Sequence, residues 1–465
     1  MSQFKPYPAY KDSGVEWLGE VPEHWDVQPL KRAIARIESG TSVNAADFPA
    51  EPGSLGVLKT SCVYTGKFDW TENKTVDDED LSRVSCPLQK NTLIVSRMNT
   101  PDLVGATGLV TEAPDGIFLP DRLWQIYFEK NQSSEFLAYF TKSREYRDQV
   151  KIACSGTSSS MQNLGQDDFR CLLFAKPPKF EQTQIARFLD HETARIDALI
   201  GEQQRLIELL KEKRQAVISH AVTKGLDPSV PMKDSGLKWL GEVPAHWVVR
   251  PLMSLTAPGR AIMYGIVLPG ENVEVGIPIV KGGDVKPGRL ELDRLCRTTK
   301  EIEAPFARAR LRPKDIVYSI RGTIGDAELV PDELHNSNIT QDVARISPQD
   351  RIDSSWLLYA MRSNPVFSQL EQRSLGAAVR GINICDLKRA KVPVPPENEQ
   401  TEIAKFLELN VSSLNELMAE ATSGIELLKE RRSTLISAAV TGKIDLRGWQ
   451  LPVTESLQQP SAVEA

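Results

Sequence analysis

Arg97, Arg321 and Arg380, with Asn99, Gln162, Asn163 and Asn383, are the side chains whose types and grouping suit recognition of a flat polar edge. A guanidinium can hold guanine through two parallel hydrogen bonds, and a carboxamide can do the same for adenine. These residues fall in two kinds of place, each present twice. One is a small polar loop, Ser155 to Asn163, which also carries Thr157 and Ser158; its counterpart runs from Ser374 to Asn383. The other is a turn after a short β-branched strand. Leu93-Ile94-Val95-Ser96 leads into Arg97 and Asn99, and Ile316-Val317-Tyr318-Ser319 leads into Arg321 and Thr323.

Chemistry that makes or breaks bonds is poorly supported. Asn364-Pro365-Val366-Phe367 looks like the Asn-Pro-Pro-Phe/Tyr loop of amino-methyltransferases, but it lacks the second proline, and no glycine-rich cofactor loop follows a strand upstream. Thr65-Gly66-Lys67 and Thr441-Gly442-Lys443 end like a phosphate loop, yet neither is followed by Ser or Thr and neither has the earlier glycine. Pro101-Asp102 has no downstream Glu-x-Lys for a nuclease centre. The six cysteines form no Cys-x-x-Cys pair and the five histidines do not cluster with them, so no zinc site is expected and the chain reads as a reduced, cytoplasmic protein.

The elements that must position these loops are written twice. From Phe180 to Val222 no proline intervenes, and Leu189, Ile196, Leu210 and Val217 recur every seven residues with Gln203 in the middle slot. Leu199, Ile200, Leu206 and Ile207 supply a second apolar column. This is the pattern of a helix packed along another helix, and some forty residues make a rod of roughly 60 Å. Glu399-Gln400-Thr401 to Leu407 repeats Glu181-Gln182-Thr183 to Leu189 at an offset of 218, and Leu427 to Arg432 repeats Leu209 to Arg214. Pro177-Pro178 and Pro395-Pro396 hold the chain extended just before each rod, and Gly225 and Gly442 follow the rods as expected C-terminal caps. The end of the first rod, after Val222, reads as a place where a helical turn could be added.

A second repeat precedes each rod. Trp17-Leu18-Gly19-Glu20-Val21-Pro22 with His24-Trp25 returns from Trp239 to Trp247 at an offset of 222. Packing or a backbone hydrogen bond is the expected role of His24 and His246. Between opening and rod lie variable blocks of short strands and a few helices, such as Glu135–Val150 and Ser354–Leu370. The expected fold is therefore α+β: two α+β domains, 1–176 and 227–394, separated by two long helices, 177–226 and 395–445, with an internal pseudo-two-fold repeat. Residues 446–465 read as a disordered tail.

The duplicated Trp-Leu-Gly-Glu-x-Pro-x-His-Trp opening and the duplicated Pro-Pro-x-x-Glu-Gln-Thr-x-Ile-Ala-x-Phe-Leu rod start resemble the specificity subunit of type I restriction–modification enzymes. The resemblance covers nearly the full length. It implies two target recognition domains, each reading half of a split sequence in double-stranded DNA, and an antiparallel coiled coil that sets the spacer and docks two methyltransferase subunits. Restriction/translocase subunits join later. It implies a non-catalytic chain that serves phage defence, with S-adenosylmethionine, ATP and Mg2+ on the partner subunits. The resemblance implies that the two polar loops, just before the return to each rod, face DNA, with the two strand turns as second candidates; no base-reading residue transfers by motif.

Charge is compatible with this. The net charge is −6, which argues against a general nucleic-acid coater, while a sequence-specific binder needs only one basic face. The block from Arg250 to Val394 holds 21 Lys+Arg against 17 Asp+Glu, and 15 of the 21 are Arg. The acidic run Asp77–Asp80 reads as a solvated turn. No run of about 18 apolar residues exists, so no transmembrane helix is expected. The competing readings are a coiled-coil adaptor that binds only proteins and a stand-alone DNA enzyme.

Overall fold

The computed structural model describes residues 5–158, 161–372 and 381–451, with backbone only at 155–158. They form two compact units, Met1–Gln203 with Ser423–Ala465, and Gln204–Thr422. Each unit therefore holds one variable head and a part of both rods.

In the first unit a four-stranded antiparallel sheet runs in the order Thr107–Leu109, Leu93–Ser96, Leu123–Phe128, Ile34–Ser39. The β-branched strand Leu93–Ser96 is buried on both faces, as a central strand with cover on each side must be. A second sheet orders Ile117–Phe118, Gly56–Leu58, Asn73–Val76 and Ala45–Ala46. The second unit repeats the plan, with Met263–Tyr264, Val343–Ile346, Ile316–Ser319 and Ala327–Leu329 in one sheet and Cys296–Thr298, Ile277–Val280 and Asn338–Ile339 in another. Each head closes on itself. Asp26–Pro29 pairs antiparallel with Leu173–Lys176, and Val248–Pro251 with Lys391–Val394.

The two expected head helices are each split. Glu135–Val150 is Ser134–Phe140 followed by Arg144–Ala153, because Ser143 leaves the helical path and accepts from Tyr146 N to start a new one. Ser354–Leu370 is Ser354–Arg362 followed by Asn364–Glu371, with Pro365 in the first turn. The Asn364-Pro365-Val366-Phe367 stretch is thus the opening turn of a helix, with Val366 buried.

The rods are single helices, Lys179–Lys224 and Glu397–Val440. They run antiparallel. In the first unit Arg432 donates to Asp197 at 2.5 Å; in the second Arg214 donates to Asn415 Oδ1 at 2.6 Å. Going forward 17 residues on one rod (214 − 197) matches going back 17 on the other (432 − 415). Leu189, Ile196, Leu210, Leu407 and Leu414 are buried in the seam. The second apolar column is only half realised: Ile200 and Ile207 are half-buried, whereas Leu199 and Leu206 are exposed. A helix lying along one partner buries about two positions per heptad, and the neighbours at 199 and 206 rotate about 100° away from it.

The rods end on glycines in the left-handed region, Gly225 at φ +77° and Gly442 at φ +74°. A Cβ at Gly442 would strike the Pro22 ring, and one at Gly225 would touch the Trp247 indole at 3.4 Å. So each rod's last turn is seated on a Trp-Pro opening. Val222 and Ala221 are buried in the same core as Trp247 and Leu252. The position after Val222 is a packed junction and not a free place to lengthen the rod.

Two further expectations change. The tail does not begin at 446: Leu446 is buried, and Trp449 stacks edge-on against Phe188 with ring centroids 5.4 Å apart; residues from 452 on lie outside the described set. The acidic run is not all solvated, because Asp80 is buried and accepts from Asn44 N at 2.7 Å and from Arg83 at 2.6 Å. No helix among the described residues is long and apolar enough to cross a membrane.

Candidate nucleic-acid interface

In both heads the fold brings the two candidate stretches together. In the first, Met98–Asn99 pairs antiparallel with Met161–Asn163, so that Gln162 lies opposite Asn99 and Asn163 opposite Met98. Leu164 N then donates to Arg97 O at 2.8 Å. In the second, Arg321 bridges to Gly381, and Ile382 N donates to Ile320 O at 2.8 Å. The strand turn therefore lies against the described end of the polar loop in each head, Met161–Asn163 in the first and Gly381–Ile382 in the second, although about sixty residues separate them in sequence.

The candidates differ in what they leave available. Asn99 is buried: its amide donates to Tyr64 Oη at 2.8 Å and Ser96 Oγ at 3.2 Å, and its oxygen accepts from Thr100 N at 2.9 Å. Arg97 is half-buried, and its Nε donates to the Asp121 carbonyl at 2.7 Å. These two side chains brace the turn. Gln162 and Asn163 are half-buried, and Asn163 Oδ1 has no hydrogen-bond partner among the described residues. Ser155–Ser158 forms the outer strand of the hairpin, with Ser158 opposite Met161; the side chains of Thr157 and Ser158 lie outside the described residues.

Arg321 is exposed, and its guanidinium makes no hydrogen bond or ion pair among the described residues, while its carbonyl accepts from Ser319 Oγ at 3.1 Å. Thr323 is exposed in the same turn. Asn383 caps the helix Ile384–Arg389, its side chain accepting from Cys385 N at 2.8 Å. Arg380 lies outside the described residues.

The arginine surplus of the second head is partly internal. Arg260 pairs with Asp315 at 2.5 Å and Arg310 with buried Glu303 at 2.7 Å. Arg345 is buried, and burial first, then the nearby Arg260, brings its guanidinium down to about 10. Its Nη2 donates to the Ala261 carbonyl at 3.0 Å, fixing a loop. Counting charge in the sequence overstates the basic surface for this reason.

Sequence reasoning missed the groups that hold each head on its rod. Glu181, in the first turn of the first rod, accepts from Trp25 Nε1 at 3.0 Å and Tyr7 Oη at 3.1 Å, and its other oxygen lies 2.6 Å from His24 Nε2. Glu399 repeats this with Trp247 at 2.9 Å and His246 at 2.7 Å. The histidines thus bond a carboxylate and not the backbone. The adjacent Gln182 accepts from Ser133 N at 2.8 Å and Gln400 from Asp353 N at 2.9 Å, tying the rods to the N-caps of Ser134–Phe140 and Ser354–Arg362. The signal was present in the sequence as two pairs, His-Trp and Glu-Gln, that are both kept in the two copies of the repeat. Tyr64, which holds Asn99, carried no such signal.

Residues 271–427 match the family model for the type I restriction modification DNA specificity domain. The chain is 29% identical over 298 residues to the EcoBI specificity subunit of Escherichia coli, a stretch that is 63% of each protein, so less than two thirds of that relative is spanned. It is 24% identical over 443 residues to the putative MjaX specificity subunit of Methanocaldococcus jannaschii, covering 92% of this chain and 96% of that one. Two solved structures share the fold. One, from a study of assembly and conformational transition of a type I R-M system, has a TM-score of 0.68 at 17% identity and covers 91% of this chain and 99% of its own. The other, the HsdS subunit from Thermoanaerobacter tengcongensis, has a TM-score of 0.52 at 18% identity, with 91% and 98% covered.

Proposed function

We infer that this chain, which belongs to the specificity subunits of type I restriction–modification enzymes, is the part that recognises DNA sequence and that it has no catalytic centre of its own. Each head reads one half of a split target, and the paired helices hold the two readers at a set spacing. The observation that carries this reading is that, in both heads, the described end of the polar loop lies against the turn after the β-branched strand. Two separate heads that each present one such surface suit a duplex read at two half-sites.

Within those surfaces Arg321 is the first choice for a base or phosphate contact, because it alone among the described candidates is a cation with no internal partner. Gln162 and Asn163 are the corresponding choices in the first head, with Thr157, Ser158, Thr323, Arg380 and Asn383 as neighbours on the same segments. Arg97 and Asn99 act by holding the turn in shape.

The rods support docking of two like partners. Leu199 and Leu417 occupy equivalent positions and are 39% and 46% exposed; Leu209 and Leu427 do the same at 55% and 65%. An apolar pattern repeated at the offset of the rods fits two copies of one methyltransferase subunit, to which restriction subunits add. S-adenosylmethionine, ATP and Mg2+ then act on those partners. Selection on randomised duplexes, with and without a methyltransferase subunit, tests the reading. A two-part consensus with a fixed gap is expected. Enrichment of no sequence in either condition, with the partner bound, would instead establish a protein-only adaptor.

A further inference from the structure

The first unit contains a cavity of about 380 Å3 whose lining includes none of the candidate base-reading residues. Its walls include Thr65, Lys67, Lys142, Arg147, Asp197 and Arg432, drawn from the Thr65-Gly66-Lys67 turn, the helices of the head and both rods. Most of its charge is already matched. Lys67 and Arg432 share Asp197, at 2.9 and 2.5 Å. Arg147 is spent on carbonyls, donating to Val104 O at 2.5 Å and to Asp102 O at 3.1 Å.

Lys142 is not matched. Its ammonium makes no hydrogen bond or ion pair among the described residues and lies 5.0 Å above the centre of the Tyr139 ring. Burial first, then the charge of Lys67, pulls the ammonium below the ordinary lysine value against the opposing pull of Asp190 and Asp197, although the residue is exposed at the cavity mouth.

The second unit shows what a purely structural cation looks like at this place. Arg362 precedes Ser363 as Lys142 precedes Ser143, at the break between the two head helices. Arg362 is paired with Glu328 on the neighbouring strand Ala327–Leu329. The equivalent strand of the first head is Thr107–Leu109, and the position of Glu328 is taken by Gly108: Gly108 stands opposite Ile94 as Glu328 stands opposite Val317. The first head keeps a cation at this break and has no carboxylate at the position of Glu328; Asp190 and Asp197 act on Lys142 only through their charge, without an ion pair.

We propose that this cavity binds a phosphate-type oxyanion, with Lys142 as its principal charge and Lys67 and Arg432 as flanking donors. A phosphoryl group supplies the missing negative charge and several acceptor oxygens, for which ammonium and guanidinium donors are suited. The cavity is too small for a duplex, so the group is either a free phosphate or a single backbone phosphodiester reaching into it.

The test uses the full chain and the variants Lys142→Met and Lys142→Arg. Because Lys142 makes no hydrogen bond or ion pair among the described residues and only a cation–π contact with Tyr139, both are expected to unfold within a few degrees of the wild-type temperature. Calorimetric titration with inorganic phosphate is expected to show one saturable site, at least tenfold weaker in Lys142→Met and within about threefold of wild type in Lys142→Arg. If phosphate gives no saturable heat but Lys142→Met lowers the salt slope of DNA binding by about one, the oxyanion is a backbone phosphodiester. No phosphate binding together with an unchanged salt slope overturns the proposal. The phosphate arm does not depend on the DNA-recognition reading; the DNA arm does, and the wild-type chain's own gel shift separates failure of that reading from failure of this site.

Discussion

Trp25 donates its indole hydrogen to Glu181 at 3.0 Å across 156 residues of sequence, and both side chains are buried. This contact fixes the opening of the first head to the first turn of the first rod. Glu181→Ala leaves the Trp25 and Tyr7 donors unsatisfied and is expected to cost about 1–3 kcal/mol. Glu399→Ala removes the equivalent partner of Trp247, but Glu399 is partly exposed, so water replaces it and the loss is smaller. Urea unfolding followed by tryptophan fluorescence measures both. Equal losses would contradict the ranking.

Asp197 is held below the ordinary carboxylate range: burial alone would raise it, but hydrogen bonds from Lys67 and Arg432 outweigh that. A carboxyl depressed in the folded state contributes stability that is complete well above its unfolded value of about 3.9 and is lost as pH falls from there through the folded value. Wild type should therefore exceed Asp197→Asn by about 0.5–1 kcal/mol near neutral pH. The gap should close in the acid range below that unfolded value. Thermal unfolding of both proteins across that range checks the sign; a gap that widens in acid would refute it.

Arg321→Ala should change DNA recognition without changing stability, because the guanidinium has no partner among the described residues. A lost base contact costs about 1–3 kcal/mol at one position, whereas a lost phosphate contact weakens all sequences alike. Asn99→Ala should do the reverse and lower the stability of the first head. Selection on randomised DNA combined with thermal unfolding separates the two classes. An Arg321→Ala protein with wild-type affinity and preference would remove that residue from the interface.

The heads should be exchangeable as modules. The strands Asp26–Pro29 and Leu173–Lys176 are hydrogen-bonded neighbours, so residues 27–176 leave and return at one place. Replacing that block by the corresponding block of a relative is expected to alter one half-site only. A change in both half-sites would show that the heads do not read independently.

Lengthening the coiled coil should lengthen the unread spacer. Asp197 with Arg432 and Arg214 with Asn415 place Gln203 beside Glu426, so one duplicated heptad after Gln203 and one after Ile425 preserve the seam. Seven residues add about 10 Å, or roughly three base pairs at about 3.4 Å each. The methylated motif of cells carrying the variant gives the answer. An active variant with the original spacer would mean that the rods do not set the distance.

Much of the architecture was legible because the chain repeats itself. The seven-residue spacing of Leu189, Ile196 and Leu210 is a local property of a helix, and the offsets of 218 and 222 compare the sequence only with itself. Neither needs knowledge of a distant contact. The same is true of Pro177-Pro178 before the rod and Gly225 after it, since backbone restriction belongs to the residue. Local pattern failed where a single residue decided the path, as at Ser143, which caps a new helix, and at Pro365, which starts one, each splitting a helix that hydrophobic spacing ran together.

What each candidate side chain does was decided by tertiary structure. Asn99 and Arg321 look alike as polar residues in matched turns, yet one is enclosed by Tyr64 and Ser96 and the other is exposed, its guanidinium without a partner among the described residues. A hydrogen bond depends on the atoms within about 3 Å, and those atoms come from residues tens of positions away. The sequence by itself determined two heads, two rods and their order. Only folding decided which arginines are spent on internal carboxylates, where Glu181 finds Trp25, and that Lys142 has lost the partner Arg362 keeps, because each of these depends on distances that no spacing along the chain encodes.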